Sequence, residues 1–224
     1  IALNKNASIL HYTELETAVP SDSLSFLIDA GATFHGYAAD ITRTYCQQQG
    51  PFSDLIQAMH QVTLSLVEQL KPGLAYSDIH IQAYQKIAQL LEQFHFINLS
   101  AEDAVEKQIV STFFPHGIGH FLGLQVHDVA GHVSDDRGPP CPPPTAHPFL
   151  RTTRIIEAKQ VFTIEPGLYF IDGLLSDLKA SENSKFINWN EVECFRPFGG
   201  IRIEDNIIVH RDRNENMTRD LNLI

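Results

Sequence analysis

Four carboxylates stand inside apolar, strand-like segments of this chain, and any fold it adopts has to bring them to partners. Asp29 ends the run SFLI, Asp40 precedes ITRTY, Glu165 ends VFTI and Glu204 ends GGIRI. An acid in an apolar strand seldom persists unpaired, and Lys plus Arg total 16 against 27 Asp plus Glu. His120, in HGIGH, adds an imidazole. Four carboxylates and one imidazole form a hard, oxygen-rich donor set that suits a pair of Mn²⁺-like ions better than a thiolate zinc site or a Ca²⁺ loop. If the five converge, the chemistry they support is hydrolysis at a two-metal centre. The competing reading is structural: acids on solvent-facing strands, or salt bridges such as Arg202 with Glu204 on one strand face.

The first two acids have a predictable geometry. SFLIDAGATFHGYAADITRTYC reads as two β runs joined at His35-Gly36, because Gly after a polar residue suits a tight primed turn. That turn places Asp29 opposite Thr42, with Asp40 on the same face of the ribbon. Such diagonal neighbours lie roughly 7–8 Å apart, and two acids so placed repel when dehydrated, which cations relieve. His116 and His120 are four apart, but Gly117 and Gly119 between them disfavour a helix. With His127 they make three imidazoles within a short Gly-punctuated stretch, which favours a site over structural histidines.

Around these motifs the order is strands, helices, then strands again. Residues 9–12 read as strand and ETAVPSDS as turn. Ser53 is the candidate N-cap of a helix over 54–70, ended by Lys71-Pro72-Gly73. Ser77 is the candidate cap of a second helix, with Ile79, Tyr84, Ile87, Ala88, Leu91 and Phe94 at helical spacing. A short helix is expected over 101–112. FFPHGIGHFLGLQVHDV is strand-like, and the Pro-rich stretch 135–148 is a loop. VFTIEPGLYF reads as a strand stopped at Pro166-Gly167, 172–189 as an excursion, and GGIRIEDNIIVH as the last long strand. This order predicts an α+β domain rather than βαβ units.

Composition narrows the function classes. The chain has 224 residues, enough for one large domain, and its formal charge of -11 comes without Lys/Arg clusters, which argues against nucleic acid. No apolar run approaches the roughly 18 residues that span a bilayer. Cys46, Cys141 and Cys194 are an odd count without metal-type spacing, which points to a reducing cytoplasm. A chain that opens on IALNKNASILHY reads as a fragment.

LIDAGATFHGYAADITRTY, PHGIGHFLGLQVHDV, TIEPGLYF and GGIRIEDN together resemble the motif set of the pita-bread metallopeptidases, and within them the prolidase (Xaa-Pro dipeptidase) branch of bacterial type. The similarity extends over essentially the whole chain, to the ENMTRDL tail. It implies a curved, mainly antiparallel sheet with helices on its outer face and metals in its concavity. It implies two Mn²⁺ per chain, with Co²⁺ or Zn²⁺ as competitors: Asp29 on one ion, Asp40 and Glu204 bridging, His120 and Glu165 completing the second. Water activated by both ions would be the nucleophile, with Glu165 as acid/base, His127 at the developing oxyanion and His116 lining the pocket. His11, Arg151 and Arg202 would grip the terminal carboxylate of a dipeptide. The family also implies a homodimer, and an N-terminal domain and opening catalytic-domain helix that these 224 residues do not include. The alternatives are an aminopeptidase P-type activity on longer peptides, hydrolysis of organophosphorus esters as a side activity, and a metal-free binding module. The five intact ligands argue against the last.

Overall fold

In the computed structural model, which describes residues 1–14, 16–18 and 20–221, the acidic hairpin folds in the register its sequence dictates. Strands β1 (Ala2–Leu3), β2 (Ser25–Ala30), β3 (Thr33–Phe34), β4 (Tyr37–Ala38) and β5 (Ile41–Cys46) open the fold. β2 pairs antiparallel with β5, Asp29 opposite Thr42, and β3 pairs with β4 beyond them. His35 (φ 50) and Gly36 (φ 84) hold the two left-handed positions of the primed turn. At Gly31 the arms cross so closely that a Cβ would lie 1.8 Å from the Ala39 carbonyl oxygen. Residues 9–12 are not a strand: after β1 the chain turns through a 3-10 segment, Asn4–Ser8. The expected ETAVPSDS turn is irregular, with Val19 outside the described residues.

Helices α1 (Pro51–Gln69) and α2 (Tyr76–Gln93) bury Leu55, Met59 and Leu66 and Ile79, Ile87 and Leu91 completely. Each such side chain contributes roughly 1.5–3 kcal/mol through burial. Both helices start earlier than their serines predict. Pro51, with φ pre-set for a first turn, follows the N-cap Gly50, while Ser53 Oγ donates to Gln49 Oε1 at 3.0 Å. Tyr76 N donates to the Arg154 carbonyl at 3.0 Å, so a tertiary partner replaces the cap expected from Ser77. The helix expected over 101–112 divides into α3 (Ala101–Glu106) and α4 (Val110–Phe113), because Gln108 takes φ 57 between them.

Strands β6 (Val161–Ile164), β7 (Gly167–Tyr169), β8 (Gly200–Arg202), β9 (Asp205–Val209) and β10 (Asn214–Asn216) complete an all-antiparallel set of pairings. β6 stops ahead of Pro166-Gly167, as expected, but the chain runs on into a second strand. Pro166-Gly167 passes the chain from β6, paired with β9, to β7, paired with β8. GGIRIEDNIIVH is likewise two strands, broken at Ile203-Glu204, where Glu204 N reaches the Thr42 carbonyl at 3.0 Å and joins the two halves of the fold. Only the three-residue β10 and the short helix α7 (Met217–Asp220) follow it among the described residues. The excursion holds α5 (Asp172–Ala180) and α6 (Trp189–Phe195) around a 3-10 turn, Glu182–Phe186. The strand-like 118–122 segment lies antiparallel to β6 through Glu165 N to Ile118 O, Thr163 N to His120 O and Leu122 N to Val161 O, without forming a regular strand. Residues 135–148 are irregular, as their prolines require. Helix α1 packs against β5, β6, β8 and β10. The α+β class read from the sequence is the class observed.

Candidate metal centre

All ten candidate residues line one cavity of about 400 Å³: His11, Asp29, Asp40, His116, His120, His127, Arg151, Glu165, Arg202 and Glu204. The five candidate ligands among them arrive from five places. Asp29 comes from the end of β2, Asp40 from the link into β5, His120 from the segment beside β6, and Glu165 and Glu204 from the breaks after β6 and β8. Strand breaks serve the site, because at a break a carboxylate can turn inward without displacing a ladder neighbour.

His120 carries the strongest chemical signal. Its Nδ1 lies 3.0 Å from the Phe121 carbonyl, so the proton sits there and the Nε2 lone pair is bare. That lone pair faces Asp40 Oδ2 at 3.7 Å, Glu165 Oε1 at 3.6 Å and Glu204 Oε1 at 3.8 Å. These gaps are too long for hydrogen bonds, and four electron-rich atoms pointing at one another repel. Two donors each about 2.1 Å from a shared ion stand at most about 4.2 Å apart, a span these distances fit. Glu204 Oε2 accepts from Thr42 Oγ1 at 2.6 Å, whereas its buried Oε1 has no partner among the described residues. Three groups are close enough to hold a metal ion: Asp29 with Asp40 and Glu204; His120 with Glu165 and Glu204; and Asp40 with His120 and His127.

The electrostatics agree. Burial, then repulsion from Asp29, raises Asp40 to about 7. Burial raises Glu165 to about 8 against the opposing pull of Arg202, and burial with Glu165 and Asp40 nearby pushes Glu204 well up. Burial lowers His120 to about 4, and His116, also facing Arg202, to about 3. The site therefore holds neutral imidazoles and acids that retain protons, the pattern of a pocket short of positive charge.

Arg202 is directed by other partners than Glu204. Its Nη2 donates to Asp29 Oδ2 at 2.6 Å, Nη1 to the Tyr169 hydroxyl at 3.1 Å and Nε to Thr42 Oγ1 at 3.3 Å. Asp29 crosses from β2 to meet it, a contact that same-strand spacing does not reveal. Tyr169, absent from the sequence candidates, in turn donates to His116 Nε2 at 2.8 Å, while His116 Nδ1 donates to the Gly117 carbonyl at 2.7 Å. Its only sequence signal is a hydroxyl within the apolar run GLYF, since a buried Tyr hydroxyl needs a partner. Arg151 and His11 stand exposed at the cavity wall, and among the described residues their side chains make no hydrogen bond or ion pair.

The model of metallopeptidase family M24 matches residues 1–211. The Xaa-Pro dipeptidase of Pseudoalteromonas atlantica is 72% identical over 227 residues, covering 100% of this chain and 51% of that protein. That of Colwellia psychrerythraea is 60% identical, covering 100% and 50%. The chain thus spans about half the length of the curated relatives it matches. Among solved structures, zinc-substituted aminopeptidase P of Escherichia coli in complex with product superposes with a TM-score of 0.73 at 27% identity, over 97% of this chain and 42% of that one. The Pseudomonas aeruginosa aminopeptidase PepP, at 24% identity, 99% and 44% coverage and a TM-score of 0.74, matches in fold. The fold is therefore the pita-bread fold that the motifs implied. With the family model matched from residue 1 to residue 211 and its relatives aligned along the whole chain, this protein belongs to metallopeptidase family M24.

Proposed function

We propose that residues 1–224 are the catalytic domain of an Xaa-Pro dipeptidase that uses a pair of Mn²⁺-type cations to cleave the bond before a C-terminal proline. The observation that carries the reading is the bare His120 Nε2 facing three carboxylates, with Glu204 Oε1 buried and unpartnered beside it. The choice of substrate is supported by the relatives named Xaa-Pro dipeptidase, which are far more similar to this chain than the aminopeptidase P structures. Asp29, Asp40 and Glu204 would hold one ion, and His120, Glu165 and Glu204 the other, with Asp40 between them. When bound, such a pair polarises the scissile carbonyl and lowers the pKa of water.

The chain's own residues supply the rest. Glu165 takes a proton as water adds to the carbonyl carbon, and returns it to the proline nitrogen as the C–N bond breaks. The proline nitrogen of the scissile bond carries no hydrogen in the substrate, so a delivered proton is essential for it to leave. His127, which burial and then Arg151 and His11 keep neutral, donates an N–H to the developing oxyanion. His116 is fixed between Tyr169 and Gly117 as part of the wall. Because Arg202 is buried and three of its five N–H groups are engaged by Asp29, Tyr169 and Thr42, we assign the grip on the substrate carboxylate to the exposed Arg151 and His11, with Arg202 holding Asp29 in place.

The test compares Ala-Pro with Ala-Pro-Ala on the full-length, manganese-reconstituted protein. Cleavage of the dipeptide well above the tripeptide supports the reading. Preference for the tripeptide would transfer the chain to the aminopeptidase P activity, and inactivity on both would refute it. The full-length protein acts in the cytoplasm as a homodimer in this account, which cell fractionation and sedimentation check.

A further inference from the structure

The family model ends at residue 211, yet the segment beyond it reaches back beneath the metal centre. Two hydrogen-bonded routes run from Asn216–Arg219 to the ligands. In the first, Asn216 Nδ2 (2.7 Å) and Arg219 Nε both donate to Asp205 Oδ2, and the other oxygen of Asp205 accepts from Arg43 Nη2. Arg43 Nη1 donates at 2.7 Å to the carbonyls of both Thr42 and Glu204, so it pins the bridge at which Glu204 turns into the cavity. In the second, Thr218 Oγ1 accepts from Asn206 N at 2.9 Å, and Asn206 Oδ1 accepts from Asp40 N at 3.4 Å. Arg219 Nη2 also meets His60 Nδ1 of α1 at 3.1 Å, anchoring the tail to the helix layer.

The routes end on a particular pair. Asp40, Glu204 and His120 each belong to two of the three ligand groups, and the routes reach the two acids among them, whose placement would set the geometry of both ions. Arg43, Asp205, Asn206, Asn216 and Thr218 are all buried, and in such surroundings every lost partner leaves an unsatisfied polar atom. Glu204 and Asp205 are consecutive and point opposite ways, one to the cavity and one to the tail. A shift of one therefore rotates the other.

We propose that the C-terminal turn Asn216–Arg219 is a positioning device for Asp40 and Glu204, through which metal affinity depends on side chains that do not line the cavity. The proposal rests on the metal-binding reading above, and its test separates the two. Thr218→Val removes the acceptor for Asn206 N, Arg219→Met removes a donor to Asp205, and Arg219→Lys keeps the charge. Leu178→Ala, in the buried face of α5 and away from the cavity, is the control for simple loss of stability. In the metal-free full-length protein, hydrogen exchange at the amides of Asp40 and Glu204 accelerates in Thr218→Val and Arg219→Met, and Arg219→Lys restores most of the protection. Calorimetric Mn²⁺ titration of the same proteins shows affinity weakened about tenfold or more in the first two, the scale of losing an outer support of a metal ligand. Leu178→Ala lowers Tm without moving either readout. Wild-type exchange and affinity in the tail variants, or equal effects from Leu178→Ala, would overturn the proposal. Failure of the wild type to bind Mn²⁺ would overturn the metal reading, while the exchange arm still decides whether the tail holds the two acids.

Discussion

Gly119 is where packing and metal chemistry meet, and Gly119→Ala gives a magnitude that the coordinates fix. A Cβ there would lie 2.1 Å from the Thr163 carbonyl oxygen and 2.3 Å from the Tyr76 hydroxyl, far inside the roughly 3.5–4.0 Å of a comfortable contact. Neither neighbour is free to yield. Thr163 is held in β6 by its N–H to His120 O and by pairing with β9, and Tyr76 is fully buried and donates to Thr163 O at 2.7 Å. Overpacking costs about 1–3 kcal/mol, and stranding the Tyr76 hydroxyl costs about 1–3 kcal/mol more. The expected loss is therefore about 2–6 kcal/mol, or a fall in Tm of about 2–4 °C for each kcal/mol in a chain of this size. Urea unfolding of the metal-free protein measures it as a lower midpoint at unchanged slope. Because His120 follows directly, Mn²⁺ affinity falls as well. A loss below about 1 kcal/mol at full metal affinity would refute the argument that close backbone approach places the imidazole.

Two further outcomes follow from the same geometry. Burial holds Asp40 at about 7 and Glu165 at about 8, far above the ordinary carboxylate range, so the metal-free native state keeps protons that the unfolded chain releases. Its stability therefore declines as pH rises through those folded values. Below 6.5 the lowered histidines His116 and His120 oppose this, so Tm of the stripped protein falls from pH 6.5 to 8 and Mn²⁺ reverses the fall; a flat or rising Tm would contradict the crowding of acids. Arg151→Ala is expected to raise KM for Ala-Pro with little change in kcat, whereas Arg202→Lys lowers kcat and weakens metal binding through Asp29. The reverse pattern would return the carboxylate grip to Arg202.

How much of this was legible beforehand depends on how local the determining contacts are. The hairpin register was readable because two residues, His35 and Gly36, set the turn, and the turn sets every pairing from Asp29–Thr42 outward. The convergence of Asp29, Asp40, Glu165 and Glu204 on one cavity was readable because acids in apolar strands demand partners wherever those lie. Helix starts were misplaced where a distant group did the capping: Ser77 looked like a cap, but Tyr76 N found the Arg154 carbonyl. The Arg202–Asp29 pair was not legible because strand spacing offers only same-strand neighbours such as Glu204, whereas Asp29 arrives from 173 residues away. Asp205 was overshadowed by its neighbour Glu204 for the same reason, its partners being Arg43, Asn216 and Arg219. The splitting of VFTIEPGLYF and GGIRIEDNIIVH was hidden because a strand that changes partners keeps its apolar pattern.

Anomalous diffraction at the manganese edge, on crystals of the full-length protein grown with Mn²⁺, puts the central claim to its most direct test. Two peaks per chain are expected, one among Asp29, Asp40 and Glu204 and one among His120, Glu165 and Glu204, with Glu204 Oε1 in contact with an ion. A map with no peak in this cavity, and Glu204 Oε1 hydrogen-bonded to water instead, would contradict it.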